Sequence, residues 1–163
     1  MSTLWRPAYV AIGSNLESPR DRVLEAMERL AALGEAHALL RSLLYLSRPM
    51  GPQDQPDYIN AAVGLLTQHS PQKMLAVLLE IERSMGRTRR ERWGPRVIDL
   101  DLVWMVDAAV DEPGLTVPHP GVSIRNFVLY PLADIAPTMK IPGMGTVLDL
   151  KLKVGGDGIS VLE

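Results

Sequence analysis

The chain has 163 residues, 47% of them hydrophobic and 22% charged, with a net charge of -2 and no cysteine. That length supports one domain with its own core, and the composition excludes a wholly disordered chain. The missing cysteines exclude a disulfide framework, a thiolate nucleophile and cysteine-held zinc or iron, and the slight acidity argues against a nucleic-acid surface built on phosphate neutralisation.

In chain order, residues 8–12 (AYVAI) read as a buried strand that stops at the turn-forming Gly13, Ser14 and Asn15. Ser18 and Pro19 give an N-cap followed by an N1 proline. Val23, Leu24, Met27, Leu30 and Leu33 then recur at helical spacing, and Gly34 closes the helix. Residues 36–46 predict a strand, and residues 47–52 an irregular loop with two prolines and a glycine. Residues 58–67 read as a long strand whose alternation turns Tyr58, Asn60 and Ala62 to one face. Ser70 and Pro71 repeat the cap signal, and a stripe through Met74, Leu78, Ile81 and Glu82 predicts a helix ending at Gly86. Residues 97–106 read as another strand, 107–122 as an elaboration of it, and 123–130 as a short helix ended by Pro131. The tail beyond Asp149 carries little signal.

The order strand, helix, strand, strand, helix, strand predicts an α+β ferredoxin-like sandwich, an antiparallel sheet with helices packed on it, in a single domain spanning residues 1–163. The start of the chain lacks a secretory apolar run, and no stretch nears the length of a membrane span, so a cytoplasmic location away from membranes is expected, with a monomer as the simplest state.

Chemistry concentrates between Gly86 and Asp101. Arg87, Arg89, Arg90, Arg92 and Arg96 precede Asp99 and Asp101, which alternate on a predicted strand and so project from one face about 7 Å apart. Magnesium takes a few carboxylates completed by water and substrate phosphates, and arginines grip phosphate bidentately, so the combination points to a metal-bound polyphosphate. An isolated alternating Asp pair more often marks the wet side of a strand, and an arginine loop can equally be a solvated or RNA-binding patch. Trp93 within the loop offers a stacking surface or a core anchor. No Walker-type loop, lipase elbow, zinc-spaced histidine pair or dinucleotide fingerprint occurs. His119 stands between Pro118 and Pro120, and Arg125 and Phe127 sit two apart near the last predicted helix.

Four blocks occur in order: AIGSNL at 11–16, PMGPQDQPDYIN at 49–60, RWGPRVIDLDLV at 92–103, and VPHP at 117–120 with RNFVLYPL at 125–132. Together they resemble the 6-hydroxymethyl-7,8-dihydropterin pyrophosphokinase family from about Tyr9 to Pro137. The resemblance implies transfer of pyrophosphate from ATP to the hydroxymethyl group of the pterin in folate biosynthesis, with AMP released. It implies that Asp99 and Asp101 bind two magnesium ions and, with Arg87 and Arg92, form the catalytic set. ATP would be held by Arg87, Arg89, Arg92, Arg96, His119 and Arg125, with Glu82, Ile98 and Thr116 near the adenine and ribose. The pterin would lie between Trp93 and Phe127, beside Asn60 and Tyr58, with Ser47, Pro49 and Met50 completing its pocket. The competing reading is a non-catalytic nucleotide-binding or RNA-binding module of the same architecture, against which the single phenylalanine and the acidic balance count.

Overall fold

The computed structural model describes residues 4–33, 39–86 and 96–162. Period 2 gives the two longest strands two distinct faces. In β1 (Arg6–Ser14), Val10 and Ile12 oppose Tyr9, Ala11 and Gly13; in β4 (Tyr58–Thr67), Ile59, Ala61 and Val63 oppose Tyr58, Asn60, Ala62 and Gly64. The pair is antiparallel, with Val10 against Val63 and Gly13 against Asn60, so the apolar faces coincide. α1 (Pro19–Ala31) covers that face with Val23, Ala26, Met27 and Leu30, and α2 (Pro71–Ser84) with Met74, Leu78 and Ile81, all buried. Each large side chain so removed from water contributes roughly 1.5–3 kcal/mol, which is why the stripe rather than helix propensity holds these helices in place.

The helix ends follow the sequence in part. Ser70 Oγ accepts from Lys73 N at 3.1 Å, and Gly86 just past α2 has a φ of 89°, where a Cβ would be strained. Ser18 does not cap α1 as expected. It is left-handed with a φ of 63° and makes no side-chain capping bond, because a capping hydroxyl reaches the first turn from extended backbone. Gly34 lies outside the described residues.

β5 (Asp99–Met105) joins the free side of β1, and β2 (Leu39–Arg41) and β3 (Tyr45–Ser47) join β4. The order β3-β4-β1-β5, all antiparallel, is the ferredoxin-like arrangement that the element order predicts. The hairpin of β6 (Val110–Glu112) and β7 (Leu115–Val117) follows β5, as the expected elaboration.

Two bulges decide what the second face presents. Arg41 pairs with Val63 but Tyr45 with Asn60, so one extra residue enters between β2 and β3. Without it Leu46 would oppose Tyr58 and Ser47 would point the other way, since a one-residue slip reverses a strand's faces. On β5, Trp104 pairs with Tyr9 but Leu102 with Val10, which makes Val103 the extra residue. Below that bulge Asp101 stands opposite Ala11 and Asp99 opposite Gly13.

The sequence reading misjudges the last third. The helix expected to stop at Pro131 is α3 (Asn126–Ile135), which continues through it. The proline forfeits one bond, to the Phe127 carbonyl, while its ring is buried with Val128, Leu129 and Leu132 and packing offsets the loss. α3 lies on the second face of the sheet, where Ile135 meets the surface that Gly64 leaves bare. The tail is also ordered. A small hairpin of β8 (Lys140–Ile141) and β9 (Gly145–Thr146) leads into α4 (Val147–Val154), capped by Thr146 Oγ1 accepting from Asp149 N at 3.2 Å. β10 (Ile159–Val161) then pairs with β3 at the sheet edge.

Candidate active site

On the second face the centre of the sheet carries only Ala11, Gly13 and Ala62, a floor without bulk between polar walls. The cleft above it holds about 90 Å³ and is lined by Asp99 and Asp101 on one side and by Ser47, Tyr58 and Asn60 on the other. Arg125 and Phe127, at the start of α3, and Met50, from the loop after β3, close it from above. Gly13 keeps the floor low: a Cβ there would stand in ordinary contact with Asn60 Oδ1, at 3.4 Å, and with the Tyr58 ring, at 3.6 Å.

One wall is polar and held in place by its own hydrogen bonds. Asn60 is buried, and its Nδ2 donates to Ser47 Oγ at 2.6 Å, which fixes the amide's orientation. Pro49 and Met50 border an adjoining outer hollow that shares Ser47 and Phe127 with the cleft. Gln53 Nε2 donates to the Pro49 and Gly51 carbonyls at 2.8 and 3.0 Å, which gives that loop a defined turn.

The opposite wall is charged. Between the two aspartates, Leu100 N donates to the buried Glu82 carboxylate at 2.7 Å, so Glu82 ties α2 to β5. Ile98 is fully buried in the core and does not line the cleft, and Thr116 sits exposed on β7, also outside it. His119 N donates to the carbonyl of the bulge residue Val103 at 2.8 Å, which carries the ring towards the aspartates. Its Nδ1 accepts from Gly121 N at 3.0 Å, so the neutral ring keeps its proton on Nε2 and can donate from there. Burial, then the Arg125 cation, hold the His119 pKa below its ordinary 6.5, with Asp99 pulling the other way. Gly121 also lets the Arg125 guanidinium lie against the backbone, since a Cβ there would fall 2.7 Å from Nε.

A lowered histidine pKa has a defined sign in stability. Above pH 6.5 the imidazole is neutral folded or unfolded and contributes no pH dependence; as pH falls below 6.5 the unfolded chain takes the proton more readily and the fold is weakened. His119→Gln is therefore expected to lose stability less steeply than wild type on acidification below 6.5, as followed by thermal melts. Parallel melting curves against pH would contradict this.

The structure also supplies residues to which the sequence reading gave no role. Asn15, 2% exposed, donates through Nδ2 to Gln55 Oε1 at 2.9 Å and to the Pro56 carbonyl at 2.8 Å, and its Oδ1 accepts from Arg96 N at 2.8 Å. It thus joins the loop after β3 to the entrance of β5, with Arg96 placed by its backbone. A turn asparagine between a strand and a helix was the visible signal, but its partners lie 40 and 81 positions away. Arg87, Arg89, Arg92 and Trp93 lie outside the described residues.

A floor of small residues with paired carboxylates on one side and a fixed amide on the other coincides with the blocks that similarity marks out. Residues 9–137 match the family described as 7,8-dihydro-6-hydroxymethylpterin-pyrophosphokinase. The chain belongs to this family. A 2-amino-4-hydroxy-6-hydroxymethyldihydropteridine pyrophosphokinase of Pseudomonas aeruginosa is 44% identical over 134 residues, covering 82% of this chain and 83% of the relative. One of the same description from Methylorubrum extorquens is 41% identical over 156 residues, covering 96% and 98%. Among solved structures, wild-type Plasmodium falciparum HPPK-DHPS with pteroate superposes with a TM-score of 0.73 at 15% identity, over 94% of this chain. The chain spans 43% of that structure's length, and the likeness is one of fold. The pyrophosphokinase match stops at residue 137, so α4 and β10 fall outside it.

Proposed function

We propose that this chain, acting as a single catalytic domain and as a cytoplasmic monomer, transfers the pyrophosphoryl group of ATP to the hydroxymethyl group of 6-hydroxymethyl-7,8-dihydropterin, in folate biosynthesis. The observation that carries this reading is the cleft with two unlike walls: Asp99 and Asp101 on one side and Asn60, Ser47 and Tyr58 on the other, across a floor of small residues.

The donor set fits magnesium. Asp99 and Asp101 offer oxygen ligands from one strand face. A hard cation held by two carboxylates completes its shell with water and phosphate oxygens. When bound, two magnesium ions would neutralise polyphosphate charge and polarise the transferred phosphorus.

The chain's own groups do the rest. Arg125 and the Nε2–H of His119 supply fixed positive potential and a donor beside the carboxylates, with Arg96 at the entrance of β5 and the arginines at 87, 89 and 92 completing the phosphate grip. Asn60 and Ser47 hold the pterin edge, while Phe127, Tyr58, Met50 and Trp93 enclose its faces. The hydroxymethyl oxygen attacks the β-phosphorus as the bond to the α-phosphate oxygen breaks and AMP departs. Such a loose transition state is served by alignment and charge more than by a covalent intermediate.

Incubation with ATP, magnesium and 6-hydroxymethyl-7,8-dihydropterin should give pterin-dependent AMP. ADP would indicate an ordinary phosphokinase, and nucleotide binding without turnover would indicate a binding module.

A further inference from the structure

The segment after α4 lies beyond residues 9–137, which the family model matches, and it borders the outer hollow that adjoins the cleft. β10 runs beside β3 with Ile159 opposite Ser47 and Val161 opposite Tyr45. Arg48 N donates to the Gly158 carbonyl at 3.2 Å. Asn126 Nδ2, at the start of α3, donates to the Gly155 and Asp157 carbonyls at 3.2 and 2.8 Å. One short segment therefore holds both the strand that carries Ser47 and the helix that carries Phe127. Asp157 and Gly158 also line the outer hollow of about 400 Å³ that Ser47, Met50 and Phe127 share with the cleft.

The Arg48–Asp157 ion pair, 3.0 Å long, cannot be the main tie, because its side chains are 59% and 97% exposed and such pairs contribute little. Three backbone carbonyls do the holding, so the course of the chain matters more than its side-chain charges. That course depends on Gly158. Its φ is 73°, and a Cβ there would fall 2.5 Å from Arg48 Nε. α4 anchors the segment from behind with the buried Val147 and Leu150.

We propose that residues 155–161 are a positioning element of the pterin pocket: they set the separation between the Ser47–Met50 wall and Phe127, and so govern affinity for the pterin and not for ATP. This rests on reading the cleft as a pterin site. Holding two walls at the spacing of a flat ring removes an ordering cost that the ligand would otherwise bear on binding.

Gly158→Val and Asn126→Ala, made separately in the 163-residue chain, test it by steady-state AMP formation with each substrate varied in turn, alongside thermal melts. The pterin KM should rise roughly tenfold, with the ATP KM and the kcat at saturating pterin held to about twofold. An unchanged pterin KM in a folded variant, or equal rises for both substrates, would overturn the positioning role. Should Gly158→Val fail to fold, Asn126→Ala decides by the same readout. A wild-type chain that makes no pterin-dependent AMP is a separate result, which would overturn the pyrophosphokinase reading and this inference with it.

Discussion

Asp99→Ala and Asp101→Ala should each abolish pyrophosphoryl transfer while leaving the protein folded. Both carboxylates project from β5 into the cleft, opposite the small residues Gly13 and Ala11. Neither contributes to the apolar core, so the sheet, held there by backbone pairing, should survive their removal. Each supplies one of the two carboxylates of the proposed metal site, and loss of one deletes charge stabilisation that no neighbour replaces in the same place. A fall in kcat of about 10³-fold or more is expected, the scale found when a preorganised electrostatic group is removed. Far-ultraviolet circular dichroism and melting temperature should stay close to wild type. Asp→Asn variants separate charge from shape, and should be nearly as defective as the alanines. A variant that keeps more than a tenth of wild-type turnover at ordinary magnesium would remove that aspartate from the metal site.

Asn60→Leu should have the second-largest effect, and on the other substrate. Asn60 is 3% exposed and donates to the buried Ser47 hydroxyl, so leucine fills the volume but cannot pair with Ser47 or with a ligand's polar edge. Sites built to hydrogen-bond a substrate discriminate strongly when that bond is lost, because the remaining buried groups go unpaired. kcat/KM for the pterin should fall by about 10²- to 10³-fold, with the ATP KM little changed. Stability should drop by about 1–3 kcal/mol, since Ser47 loses its donor in a buried setting. Equal losses for both substrates would show that Asn60 supports the sheet as a whole rather than the pterin wall.

The two variants probe opposite walls of one cleft, and the walls were unequally visible in the sequence. The alternation of Asp99 and Asp101 could be read directly, because a strand's period is local and any two residues that alternate share a face. The same holds for Tyr58 and Asn60, and the strand predicted over 58–67 is β4. Both main helices were legible from their apolar stripes, and Ser70 from its place before a proline. Ser18 was not, although it has the same neighbour, because the preceding Glu17 and Ser18 itself are left-handed in a turn that the sequence does not announce. Pro131 misled for a related reason: its local cost is real, but burial against the sheet outweighs it.

The ordered tail is the largest feature that the sequence left unannounced. Its strand is three residues long and largely exposed, so it has no periodic pattern to detect. It exists only because β3 offers it an edge.

By itself, the sequence determined the ferredoxin-like order of elements, the apolar face that the two helices cover, and which residue types could bind metal and phosphate. Each follows from short-range periodicity or from side-chain chemistry, which need no partner to be stated. Tertiary structure alone decided that Ser47 faces Asn60, that His119 is tied to the bulge at Val103 near Asp99, that Asn15 ties two loops together, and that the 155–161 segment pairs with the strand carrying Ser47. Those facts depend on register. A single inserted residue reverses a strand's faces, and a hydrogen bond across 40 or 81 positions forms only when the sheet has already brought its ends together.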